Sequence, residues 1–346
     1  MLGFWLYVIF EFIDNIFSSL LLYIYFPENG YSLFDASSYA YILTISNVLG
    51  FLSLFLGYYR FGFLNYSLYV ITLSLLSLLI GLSPSNFILP LLFLFFVFHI
   101  AFFFWYESLA IKFEKFEALI GFSYSAGFLS LGVLLFFEKL NLRILSFLYA
   151  FSLLSMLYFK NVKLPKRSLK LLNLKDLKFI KEVLVIWFMG EYAEVLVSMA
   201  YYVLKDTTHF SDVQIYRLFA IALFSAFFSA LLSPLLLRFM KVNCFGRLAL
   251  LLMISIPFLL SLPSLLYVLA VLVGISIAFY WVYFRTYLYY TYPLEEYIER
   301  FMFFYFSSHI GGVILYAFLF QLFHNHQISL MFFSAILFIL LVLDLL

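Results

Sequence analysis

Charge is what this sequence has least of. Acidic and basic residues together fill 11% of its 346 positions, where a soluble globular chain carries about 25%. Cysteine occurs once, at Cys244, which excludes an intrachain disulfide and any multi-cysteine metal site. Neither a Gly-rich phosphate loop, a nucleophile elbow nor a His-Glu-x-x-His helix is present, so no nucleotide drive, cofactor or hydrolytic set is encoded, and an enzyme is not expected. The net charge of +2 supplies no basic excess for binding nucleic acid. At the N-terminus, Met1-Leu-Gly-Phe-Trp5 lacks the basic region of a cleaved leader, and acids interrupt the apolar run behind it, so a retained first helix is expected.

What fills the chain instead is apolar surface: 66% apolar residues, 23% aromatic, and a mean hydropathy of +1.09. Runs of roughly 20 apolar residues recur throughout, the length a bilayer core demands of a helix. This predicts an all-α, polytopic membrane protein. Twelve spans can be drawn, at 2–25, 37–57, 63–82, 88–110, 116–137, 142–159, 183–204, 212–237, 247–262, 264–290, 298–322 and 328–346. The hydrophilic segment 161–182 divides them six and six, which predicts a bundle over 1–160, a basic cytoplasmic linker, and a bundle over 183–346. With the N-terminus inside, sixteen of the twenty Lys and Arg fall on cytoplasmic loops and helix ends. Both termini are therefore expected in the cytoplasm, in a plasma-membrane protein read as a monomer.

Two carboxylate pairs interrupt these runs. Glu11 and Asp14 precede Ser18 in the first span, and Glu191 and Glu194 precede Ser198 in the seventh, at an offset of 180 residues. An ionisable side chain at a helix centre in hydrocarbon costs roughly 2.5 kcal/mol or more, so duplicated pairs point to a use. At ~1.5 Å of rise per residue, Glu191 and Glu194 lie about 12 and 16 Å into a core of ~30 Å. A spacing of three places both members of each pair on one helix face. Burial and like charge favour protonation of one member of such a pair, which makes the set a candidate for binding and releasing a driving proton.

The repeat extends beyond these acids. Glu107 in the fourth span matches Arg285 in the tenth, and Arg60 after the second matches Arg238 after the eighth, both at an offset of 178. Because each half holds an even number of spans, the halves are parallel repeats. Gly57-Tyr-Tyr-Arg60-Phe-Gly62 and, in the second half, Arg238 with Gly246-Arg247 resemble the loop signature of the major facilitator superfamily, with Tyr59 where the family has Asp. Glu114-Lys-Phe-Glu117-Ala118-Leu-Ile-Gly121 is similar to the pattern that opens the fifth helix in that family.

The resemblance implies secondary active transport by alternating access, with helices one and seven lining a central cavity. The acidic pairs would then face each other across it. It also implies that helices four and ten meet on the inner side, so that Glu107 and Arg285 form a cytoplasmic gate. Helices two and eleven, and five and eight, would pack between the halves, where small residues recur at four-residue spacing: Ser46 and Gly50, Ser123 and Gly127, Ser225, Ser229 and Ser233, Ser307 and Gly311. Arg217, near the outer end of the eighth span, is a candidate contact for an anionic substrate group or for Asp14 or Glu194.

Aromatic rings beside carboxylates suit an organic cation. The expected function is proton-coupled transport of a small organic solute, leaning to efflux of cations. A sugar or peptide symporter, and a non-transporting sensor or structural protein with the same fold, are the alternatives. His324 and His326 sit two apart in a predicted loop without convergent carboxylates, so no metal site is expected there.

Overall fold

In hydrocarbon every backbone N–H and C=O has to be satisfied within the chain, and helices do this locally. In the computed structural model, residues 2–19, 21, 35–55, 66–83, 85–136, 141–162, 177–208, 210–260, 262–308 and 311–345 are described, and among them every regular element is helical. The first half contains α1 (Leu2–Asp14), continued by a π-turn over Asn15–Ser19, then α2 (Ala36–Phe55), α3 (Tyr66–Leu82), α4 (Ser85–Ser108), α5 (Phe116–Phe136) and α6 (Leu142–Ser155). The second contains α7 (Leu177–Ser198), α8 (Ala200–Thr208), α9 (Asp212–Phe239), α10 (Val242–Leu260), α11 (Leu266–Thr291), α12 (Leu294–Ser308), α13 (Gly311–Phe323) and α14 (His326–Leu345).

Each of the twelve expected spans holds one of these helices, and two spans hold a pair. The seventh span is α7 plus α8, bent by 57° at Met199. The eleventh is α12 plus α13. Among the described residues, six helices are long and apolar enough to cross a bilayer, or seven with the bent pair counted as one span. The two largest differences in starting point are at α7, which begins at Leu177 inside the anticipated linker, and at α10, which begins at Val242. Basic residues such as Lys178, Lys181 and Arg247, which mark the edge of an apolar run, are compatible with helix.

Local chemistry fixes the ends. Asp35 accepts the Ser38 N–H at 2.7 Å and so caps α2, and this bond holds its carboxyl below the usual carboxylate range. Asn141 caps α6 through Arg143 and Ile144, and Gln214 reaches back to the Ser211 N–H at 3.0 Å to open α9. Helix α13 stops at His324, whose φ of 48° is left-handed, and Asn325 then caps α14 through the Ile328 N–H at 3.0 Å.

The packing repeats between halves. Helix α2 packs on α4 as α9 packs on α11; α3 on α6 as α10 on α14; α3 on α4 as α10 on α11; and α1 on α5 as α7 on α12. The halves meet where α5 lies along α9 and α2 along α13. These are the expected helix pairs, but several of the expected small residues serve other contacts. A Cβ on Gly50 would meet Ile100 of α4, one on Gly127 would meet Asn15, and one on Gly311 would meet Glu191. It is Gly121 that lets α5 approach α9, since a Cβ there would lie 2.6 Å from Pro234. Lipid-facing positions stay apolar, as with Phe151 and Phe239 at 76% and 82% exposure.

Candidate functional site

A cavity of about 140 Å³ lies between the halves. Its polar side comes from α1 and its π-turn, which present Glu11, Asp14, Asn15 and Ser18, from Asn47 of α2 and His99 of α4, and from Glu194 of α7. Its aromatic side comes from Phe103, Tyr124, Trp281 and Tyr305. Helices α4 and α11 contribute matching ridges at i, i+4 spacing: His99, Phe103 and Glu107 on one, Ile277, Trp281 and Arg285 on the other. The first two of each ridge line the cavity, and the third of each forms an ion pair with its counterpart below it.

Each acid has a defined partner. Glu11 accepts the Asn15 amide at 2.9 Å, and that amide also donates to the Glu11 carbonyl at 2.9 Å. Asp14 lies 3.1 Å from His99 Nε2, with both side chains buried. The Ser198 hydroxyl donates to Glu194 at 2.7 Å, while Ser18, its match in the repeat, donates to the Asp14 carbonyl at 2.5 Å. Both acid-bearing helices change geometry beyond their pair, α1 by its π-turn from Asn15 and α7 by the bend at Met199, five residues past Glu194. π-Turns are frequent where side chains have been re-aimed for function.

Glu191 is elsewhere. It is not part of the cavity lining and accepts the Gly312 N–H of α13. A Cβ on Gly312 would fall 2.6 Å from its carboxylate, so glycine makes this approach feasible. Arg217 is also outside the cavity lining, on an exposed position of α9. At the start of α9, Asp212 pairs with Lys205 at 2.5 Å and accepts the Tyr201 hydroxyl at 3.0 Å, both of α8.

Arg285 and Glu107 are each 1% exposed and paired, and Arg285 also donates to the Glu107 carbonyl at 2.9 Å. The guanidinium sits among the rings of Phe116, Tyr124 and Phe301, with its carbon 5.7–5.9 Å from their centroids. His326 corrects the sequence expectation of a loop histidine without carboxylates. It opens α14, is buried, and lies 2.8 Å from Asp206 and 2.5 Å from the Tyr316 hydroxyl. No cluster of three or more metal-ligating side chains occurs among the described residues.

No protein-family model matches the chain, and no curated protein is detectably similar in sequence. Solved structures are similar in shape along almost its whole length. The human organic anion transporter MFSD10 (TETRAN) superposes with a TM-score of 0.74 at 12% identity, covering 98% of each chain. The nucleoside transporter NupG superposes at 0.64 with 14% identity, covering 100% of this chain and 98% of its own, and a point mutant of it at 0.68 with 10% identity and 98% of each. This chain has the major facilitator superfamily fold.

Within the major facilitator fold, the first-half loop residues Gly57, Arg60 and Gly62 lie outside the described residues. Their second-half counterparts are separated: Arg238 is exposed at the end of α9, whereas Gly246 and Arg247 fall within α10, with Gly246 packed against Tyr283. Sequence reasoning missed His99 and Asn15. Both have apolar matches in the second half, Ile277 and Val195, so a search for repeated polar residues passes over them. The ridge shared with Glu107 was the available signal for His99.

Proposed function

We propose that this protein is a proton-coupled secondary active transporter that carries a small organic solute through the bilayer by alternating access. The observation that carries the reading is the cavity between the halves, walled by acids from α1 and α7 and by aromatic rings from both halves. Three carboxylates against one histidine favour a cationic solute, with Trp281, Tyr124 and Tyr305 offering ring faces to it. The coupling groups in this reading are Glu11, Asp14 with His99, and Glu194. A proton arriving at the Asp14–His99 pair lowers the cavity's negative charge, and so exchanges with a cation for the same site. Glu191 takes a structural part, and Arg217 none in binding.

The inner side is held by Glu107 and Arg285 across α4 and α11, with both termini on the cytoplasmic side and the two halves as the moving bodies. The outer side is held by Tyr41 of α2 donating to Gln321 of α13 at 3.1 Å, and by the rings of Tyr39 and Tyr202 at 5.3 Å. Contacts at both ends suit an occluded intermediate, and opening either one exposes the cavity to one side. Solved relatives in fold carry nucleosides and organic anions by their names, and the amides of Asn15 and Asn47 favour a neutral, hydrogen-bonding solute such as a nucleoside as the second reading.

Purified protein in liposomes with a pH-sensitive dye inside decides between them. Addition of an organic amine is expected to move protons in wild type and to fail in Asp14→Asn and Glu194→Gln. Proton movement with nucleosides alone supports the second reading, and amine-driven movement that persists in both variants rejects the coupling role.

A further inference from the structure

A second chamber, also of about 140 Å³, adjoins the polar cavity and has walls of the opposite kind. It is framed by Leu131 and Leu135 of α5, Leu196 of α7, Ala200 of α8, and Leu223 and Ala226 of α9. Among the described residues, Asn15 is the only side chain in its lining with hydrogen-bonding atoms. The two chambers share Asn15, Phe128, Val197 and Ile277, so Asn15 stands on their common wall, seated against Gly127. A third space of about 90 Å³, lined by apolar side chains, continues from the second through Leu196, Ala200, Phe219, Ala222 and Val273. Polarity therefore falls off in one direction, from three carboxylates to none.

Resting on the transporter reading above, we propose that the solute is an amphiphilic amine, with its head among Glu11, Asp14 and Glu194 and its hydrocarbon body beyond Asn15 in the apolar chamber. Water has too few polar partners there to be held, and a compact polar solute gains nothing from such walls. A hydrocarbon body does gain, by about fourfold in affinity for each methylene removed from water. The chamber also spans the seam: α5 belongs to the first half, and α8, α9 and α11 to the second. An occupant that fills it touches both moving bodies, so the apolar part of the solute helps to hold the closed state.

The test uses n-alkylamines from ethyl to dodecyl on the full-length protein in nanodiscs, with each affinity corrected for partition into empty nanodiscs. In wild type, affinity is expected to climb about fourfold per methylene and then flatten as the chambers fill. Ala222→Leu and Ala200→Leu narrow the chamber from two different helices, and each is expected to flatten the climb at a shorter chain. Matching n-alkanols are expected to bind more weakly than amines of equal length, and Asp14→Asn to shrink that difference. Amines that bind with no dependence on length, or with the wild-type slope in both narrowed variants, overturn the apolar subsite while leaving the transporter reading intact. Alkanols binding as tightly as amines overturn the amine head. Should no amine of any length bind above empty nanodiscs, the cation reading of the polar cavity falls as well. If either variant fails to fold, the wild-type length series decides alone.

Discussion

Arg285 lies buried beneath the polar cavity, where its guanidinium must find acceptors inside the protein. It finds the Glu107 carboxylate, the Glu107 carbonyl and the Tyr124 hydroxyl, and the rings of Phe116, Tyr124 and Phe301 surround it. A buried pair of this kind gains little over apolar residues of similar size, yet breaking it leaves one charge stranded. Arg285→Met alone is therefore expected to cost about 3–5 kcal/mol, and Glu107→Leu alone a similar amount. The double variant should regain most of that loss in thermal unfolding, because neither charge is then left without its partner. If the double variant is as unstable as the sum of the singles, the two residues are not coupled. This pair was legible in the sequence from opposite signs at equivalent positions of a repeat. The Asp14–His99 contact was not, because the repeat has Ile277 where His99 would need a counterpart.

At the scale of elements, the two halves differ in one place that matters to the acids. In the first half, Asn15 lies against Gly127 of α5, and Glu11 bonds to its amide. In the second, Gly311 and Gly312 of α13 bring a bare backbone up to α7, and Glu191 takes the Gly312 N–H. Thus a shared pattern of acids, read as two equivalent pairs, yields three cavity carboxylates and one that binds the backbone of a neighbouring helix. Periodicity locates a buried acid on a face but says nothing of the backbone packed beside it. Gly312→Ala tests this contact: the added methyl meets both the carboxylate and the carbonyl of Glu191, and overpacking of this order costs ~1–3 kcal/mol. A lowered Tm is expected, with Glu191→Gln retaining gradient-driven transport and Asp14→Asn losing it. Loss of coupling in Glu191→Gln, at unchanged Tm, would return Glu191 to the proton pathway.

For the molecule as a whole, composition and repeat spacing were enough to read an all-helical membrane protein with the major facilitator fold, because a bilayer leaves so few ways to satisfy a backbone. The seams were legible as helix pairs, α5 with α9 and α2 with α13, but not as residues. Small side chains serve close packing inside a bundle as readily as between bundles. Alternating access requires these seams to slide or part, so fixing one should trap the protein. Tyr41 and Gln321 touch across the α2–α13 seam, and the exposed Cys244 is the chain's one native thiol. In a Cys244→Ser background, Tyr41→Cys with Gln321→Cys can be bridged by a short bifunctional thiol reagent. Bridging is expected to abolish transport while leaving solute affinity within about tenfold, since the cavity itself is untouched, and cleavage of a reducible bridge should restore transport. A control pair inside one half, Ser74→Cys with Ala150→Cys between α3 and α6, should be bridged with transport retained, because the two helices move together. Full transport with the seam bridged would mean that the halves do not part at α2 and α13, and the rocking mechanism would have to be abandoned for motion within a single bundle.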